Sequence, residues 1–135
     1  MAVFTKLSKE DIENLISDYT IGNLDNFEEI VDGIENSNFK IFCNNQPYIL
    51  TIFEKRVTEE ELPFFINLKN FLNKNNFKCP KAISDKNGKI LKRIKNKTSV
   101  IISFLEGKSV EEPNSEMCRE VGKMVADLHN LTINF

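Results

Sequence analysis

Two apolar runs, Tyr48–Phe53 and Thr98–Phe104, constrain this chain more than anything else in it. Both are rich in β-branched and aromatic residues, which suit a pleated surface. Each is too short for a buried helix, which needs about ten or more residues. A sheet is therefore required. Between the runs lies one helical pattern, with Phe65, Leu68, Phe71 and Leu72 on a face. Thr58 and Glu61 have capping-box spacing, but that start would bury Pro63 too deep in the helix. Leu62 as cap, with Pro63 at the first helical position, fits better.

The flanking segments extend the pattern. Ser8 followed by Asp11 is a capping box, and Ile12, Leu15, Ile16 and Tyr19 recur at helical spacing, with Gly22 beyond the helix. Leu24–Val31 reads as a strand, punctuated by Gly33. Phe39–Cys43 reads as another, with Phe39, Ile41 and Cys43 on one face. Asn44-Asn45-Gln46-Pro47 is turn material. The near-continuous apolar character of Tyr48–Phe53 suggests cover on both faces. Cys79-Pro80 opens an extended piece, and Asp85-Lys86-Asn87-Gly88 signals a hairpin between two short strands. Leu105-Glu106-Gly107 breaks the last strand. A final helix is predicted from about Ser115 to Leu131, striped by Met117, Val121, Met124, Val125 and Leu128. Antiparallel hairpins around one helix make this α+β and not a doubly wound parallel sheet.

The 135 residues fit one domain with a real core. A formal net charge of -2 argues against nucleic acid as partner, since phosphate-backbone binding draws on a basic surplus. Nothing approaches the ~20 apolar residues of a membrane span, and the N-terminus has no apolar run of a signal peptide. The expectation is a cytoplasmic protein with no membrane partner. Cys43, Cys79 and Cys118 are odd in number and widely spaced, which suits reduced thiols better than a disulfide framework or zinc site. Asn96-Lys97-Thr98 and Asn130-Leu131-Thr132 match the glycosylation pattern by chance.

Chemistry has few places to sit. Gly33-Ile34-Glu35-Asn36-Ser37-Asn38 can aim backbone N–H groups at phosphate oxygens, with Asn36, Ser37 and Asn38 as side-chain donors; a polar hairpin tip would look the same. Ser103-Phe104-Leu105-Glu106-Gly107 is either a hinge whose backbone reads a base edge or an ordinary strand exit. His129, the only histidine, reads as a structural or surface residue. Glu59, Glu60 and Glu61 favour a helix N-terminus. Lys92, Arg93, Lys95 and Lys97 read as a solvated strand edge.

These segments together resemble the bacterial homoserine kinases of the aminoglycoside-phosphotransferase-like, protein-kinase-like superfamily. The resemblance rests on Gly33–Phe39, Tyr48–Val57, Leu62-Pro63-Phe64-Phe65, Cys79-Pro80 and Ile102–Gly107, and extends to Ala2-Val3-Phe4-Thr5 and Arg119–Lys123. It implies an N-terminal lobe made of a twisted antiparallel sheet with one packed helix over 1–104. A hinge and the first helix of a missing C-terminal lobe would follow over 105–135. It further implies ATP with Mg²⁺ in the cleft and L-homoserine as acceptor, giving O-phosphohomoserine for threonine synthesis. Gly33, Asn36, Ser37 and Asn38 would cover the phosphates. Ile41, Ile49 and Ile102 would line the adenine, and Ser103, Phe104, Leu105 and Glu106 would form the hinge beside it. Another acceptor, such as choline or an aminoglycoside, and a non-catalytic module derived from such a lobe are the competing readings.

Two departures stand out. The superfamily's third-strand cation falls here on Thr51, and its acidic helix partner falls among Pro63, Phe64 and Phe65. Lys55 and Arg56 are the candidate phosphate cations. The catalytic His-x-Asp-x-x-x-x-Asn segment and the Asp-Phe pair that holds metal have no counterpart: His129 precedes Asn130 and Leu131, and no aspartate precedes a phenylalanine. The chain alone is expected to be inactive, to hold no metal ligands of its own, and to expose the stripe on its last helix.

Overall fold

The structure, a computed structural model, describes residues 4–55 and 57–135. Arg56 and the Ala2-Val3 pair lie outside the described residues.

Helix α1 (Lys9–Ile16) begins as its sequence dictates. The Ser8 side chain accepts from the Asp11 N–H, and the Asp11 carboxylate accepts from the Ser8 N–H. Five antiparallel strands follow the order β1-β2-β3-β5-β4. They are β1 (Leu24–Ile30), β2 (Ser37–Cys43), β3 (Gln46–Ile52), β4 (Lys92–Ile94) and β5 (Lys97–Ser103). Helix α2 (Leu62–Lys74) sits between β3 and β4 in sequence, and α3 (Ser115–Thr132) follows β5.

The α+β architecture stands. Its main core lies between α1 and one face of the sheet, where Ile12, Leu15 and Ile16 meet Phe39, Ile41, Cys43, Leu50, Ile52 and Ile101. Alternation sets this face: Ser37, Phe39, Ile41 and Cys43 are all buried. On β3 only Leu50 and Ile52 are buried, whereas Ile49 and Thr51 are half-buried. The run Tyr48–Phe53 is therefore closed on one face and partly open on the other. It is not covered equally on both.

Helix α2 buries Leu62 and Leu72 but leaves Phe64 and Phe65 exposed, so Phe65 does not join its buried face. Its cap is Glu61, and Leu62 and Pro63 are already helical. The Glu61 carboxylate accepts from the Thr58 N–H at 2.9 Å, so the Thr58–Glu61 spacing forms one arm of a capping box a turn before the helix. The Phe135 ring packs edge-on to Phe64 and tilted against Phe71, at centroid distances of 5.7 and 5.2 Å.

The turns divide between expected and unexpected. Asn44 and Asn45 both have positive φ, the backbone of a tight hairpin. Asp85–Gly88 does turn, but no named strand enters it; Ala82 makes a single bridge to Ile102. The true β4–β5 hairpin turns at Lys95-Asn96, with φ of 49° and 61°. The basic cluster lies on and beside edge strand β4, with Arg93 and Lys95 about half exposed, but its cations are all paired. Lys92 pairs with Asp18 and Asp85, Arg93 with Glu59, Lys95 with Asp11 and Lys97 with Glu54.

Candidate active site

The sheet face away from α1 gathers several of the residues singled out above. Partner residues in an antiparallel pair share a face. Asn38 pairs with Thr51, and Thr51 with Val100; Lys40 pairs with Ile49, and Ile49 with Ile102. Two consecutive rows thus cross the sheet. One runs Asn38–Thr51–Val100 beside the 33–36 loop. The other runs Lys40–Ile49–Ile102, closer to the β5 exit. The Thr51 hydroxyl donates to Asn38 Oδ1 at 2.8 Å, so the third-strand residue and the loop-end residue form one polar pair. Gly33, with φ of 126°, supplies the backbone angle that turns the chain out of β1.

Ile41 does not belong to this face. It is fully buried in the core under α1, one residue out of phase with Lys40. It cannot line a base alongside Ile49 and Ile102.

Ser37 is likewise displaced from its expected place. The loop is shorter than its sequence suggests, because β2 already begins at Ser37. Its hydroxyl oxygen accepts from the Phe4 N–H at 2.8 Å and the Thr5 N–H at 3.0 Å, and its hydroxyl donates to Glu54. Thr5 Oγ1 donates to Glu54 Oε1 at 2.7 Å and accepts from Lys97 Nζ at 2.8 Å. Lys97 also pairs directly with the Glu54 carboxylate. Burial raises the Glu54 carboxyl, but hydrogen bonds from Lys97, Ser37 and Thr5 outweigh it and hold the group below the usual carboxylate range. Ser37 is therefore the buried anchor of the loop and not a donor toward phosphate.

A cleft of about 370 Å³ beside this anchor is lined by Phe4, Ile34, Glu35, Glu54, Lys55 and Lys97. Lys55 thus lines the same cleft as Ile34 and Glu35 of the loop. Asn36 is half-buried, and its carbonyl lies 3.5 Å from Asn38 Nδ2, a long contact.

At the β5 exit the segment expected to act as a hinge is in part already engaged. The Ser103 N–H donates to the Lys81 carbonyl at 2.8 Å, and its Oγ accepts from the Lys81 N–H at 2.9 Å. Ser103 is committed to the neighbouring segment. Phe104 is half-buried, and Leu105 and Glu106 are exposed. The Lys40 ammonium lies 4.3 Å from the Phe104 ring centroid. His129 is exposed in the last turn of α3. Among the described residues no three His, Cys, Asp or Glu side chains are grouped to hold a metal ion, and no helix is long and apolar enough to cross a membrane.

Sequence reasoning missed Lys40, Glu54, Thr5 and Lys97. Lys40 had a signal: if Phe39, Ile41 and Cys43 point inward, Lys40 points outward. Glu54 and Lys97 are 43 positions apart, and no local pattern joins them.

The profile of the phosphotransferase enzyme family matches residues 26–135. A homoserine kinase of Methylobacterium radiotolerans is 43% identical over 129 residues, covering 96% of this chain and 40% of that protein. A homoserine kinase of Parvibaculum lavamentivorans is 41% identical over 135 residues, covering 100% of this chain and 42% of that protein. The chain thus spans about two fifths of the length of these curated relatives. In fold it is similar to a spectinomycin phosphotransferase solved with ADP and spectinomycin. The TM-score is 0.74 at 9% identity, covering 94% of this chain and 39% of that one.

Proposed function

This chain belongs to the phosphotransferase enzyme family, and from that premise we propose that it is the nucleotide-binding part of a cytoplasmic, ATP-dependent homoserine kinase. In this reading residues 1–104 form the nucleotide lobe, and 105–135 form the hinge and first helix of a second lobe. The whole enzyme would move the γ-phosphoryl group of ATP to the hydroxyl of L-homoserine, on the way to threonine. The observation that carries the nucleotide half is the open sheet face. A polar pair, Asn38–Thr51, stands at the loop, and an apolar pair, Ile49–Ile102, stands toward the hinge. A base against Ile49 and Ile102 would direct its phosphates toward Gly33, Asn36 and Asn38. The acceptor rests on the relatives, whose names make them homoserine kinases at 41–43% identity.

The chain's own work would be to bind and orient the nucleotide. The apolar strip excludes water from the base, and Thr51 and Asn38 present polar groups beside the loop. Mg²⁺ supplies charge neutralisation in phosphoryl transfer generally. Among the described residues no three His, Cys, Asp or Glu side chains are grouped to hold it. A catalytic base of the kind phosphoryl transfer needs has no candidate among the sequence motifs present. The purified 135-residue chain is expected to bind ATP weakly and to release no ADP with homoserine present. A coupled ADP-release assay tests this. Homoserine-dependent turnover above background contradicts the inactivity, and absence of any ATP binding contradicts the nucleotide reading.

A further inference from the structure

We propose that Lys40 is the cation that neutralises the nucleotide's phosphates on this sheet face, taking the place that Thr51 leaves without charge. The inference rests on the nucleotide reading above and assigns a residue that reading left open. On β2, β3 and β5, Lys40 is the single basic side chain on the face carrying Thr51, Ile49 and Ile102. Lys97 of β5 points the other way, into the Glu54–Ser37 cluster. Arg93 of edge strand β4 pairs across from Thr98, but its guanidinium is engaged by Glu59, Thr98 and the Asn96 carbonyl.

Lys40 differs from the other β-strand cations in its partners. Lys92, Arg93 and Lys97 each meet a carboxylate. The Lys40 ammonium instead rests over two rings, 4.3 Å from the Phe104 centroid and 5.2 Å from that of Phe42. Its cross-strand neighbour on β1 is Glu28, an exposed carboxylate; no ion pair between them is found among the described residues. A cation held only by aromatic faces is weakly held. A phosphate oxygen offers it a charge-assisted hydrogen bond, which is stronger. The reach is short: Asn38 precedes Lys40 by two positions on the same face, about 7 Å along the strand, and Lys has a flexible four-carbon stem. Swinging from Phe104 toward the Asn38–Thr51 pair moves the ammonium from the hinge end to the loop end. The same swing uncovers the Phe104 ring, toward the hinge end, for the base.

Titration calorimetry of the full chain with ATP, ADP and adenosine separates the possibilities. Lys40→Met keeps the stem on the rings and removes the charge; Lys40→Arg keeps the charge. Lys40→Met is expected to weaken ATP binding by about tenfold while leaving adenosine within about twofold, with Lys40→Arg close to wild type. Thermal unfolding of each variant confirms that it folds, and half-exposed Lys40 leaves no reason for it not to. ATP affinity unchanged in Lys40→Met overturns the assignment alone. An equal loss for adenosine also overturns it, by making Lys40 a base contact. Failure of the wild-type chain to bind ATP overturns the nucleotide reading and this assignment with it.

Discussion

Ser37 and Asn38 are adjacent in β2 and face opposite sides of the sheet, and that one-residue difference separates a buried anchor from a half-buried residue on the face away from α1. Ser37 is fully buried and joins Thr5, Glu54 and Lys97 in one hydrogen-bonded cluster at the root of the loop. The Glu54 side chain is only 5% exposed, so its charge must be balanced locally. Glu54→Gln keeps the shape but removes the charge that holds Lys97. It is expected to cost about 1–3 kcal/mol by urea unfolding at pH 7. The pH dependence follows from the direction of the shift. The folded-state carboxyl titrates below its unfolded value of about 4.3, so its contribution is complete above that value. It is lost as pH falls through the lower, folded value. The gap between wild type and Glu54→Gln should therefore stay constant from pH 7 to about 5 and close as acidification proceeds below about 4.3. Asp11, Asp85 and Glu61 are also held below their usual range, so the variant should retain some acid sensitivity. A gap that widens on acidification would contradict the assigned role.

The elements were legible wherever one local rule decided them. The Ser8–Asp11 capping box fixes the start of α1, and the alternation Phe39, Ile41, Cys43 fixes which face of β2 is inward. The same alternation, carried across to β3, would have separated Ile41 from the face of Ile49 and Ile102 and placed Lys40 on it. The sequence alone does not tell which pairs are opposite until the hairpin register is known. Turns were less legible. Asp85-Lys86-Asn87-Gly88 has better turn chemistry than Lys95-Asn96, yet the latter closes the β4–β5 hairpin. Asp85 instead accepts from the Asn87 and Lys89 N–H groups and from Lys92, while Lys86 donates to the Asp18 and Ser17 carbonyls and so ties the turn to the chain just after α1. At Lys95-Asn96 the hairpin takes left-handed backbone in two L-residues, a conformation glycine adopts at less cost. The Asn96 carbonyl accepts from Arg93, and that bond survives any side-chain change. Asn96→Gly is therefore expected to raise unfolding stability by roughly 0.5 kcal/mol. Denaturant midpoints of the two proteins check it; a loss would mean that the Asn side chain holds the turn.

Across the whole molecule, burial is uneven. The sheet and α1 enclose a closed core, whereas α3 buries none of its residues. Met117, Val121, Met124 and Val125 are 43%, 61%, 47% and 44% exposed, four of the five residues of the predicted stripe; the fifth, Leu128, is half-buried. What the sequence could not give was the pairing at the far end, where Phe135 reaches back to Phe64 and Phe71. That contact joins positions more than sixty residues apart and follows no local period. An apolar groove of about 510 Å³, lined by Val110, Pro113, Met117, Cys118 and Val121, continues the stripe. Contiguous apolar surface of this kind favours self-association. It contributes little to the stability of the chain that displays it, because transfer free energy is gained only on burial. The two effects separate experimentally. Replacing Val121 and Met124 together by Lys removes apolar surface without opening a cavity, and Lys has at least the helix propensity of Val. The double variant is expected to unfold within about 0.5 kcal/mol of wild type. Sedimentation should show it monomeric at concentrations where wild type associates. A large loss of stability instead would mean that these side chains are buried in solution, and equal association would move the sticky surface away from α3.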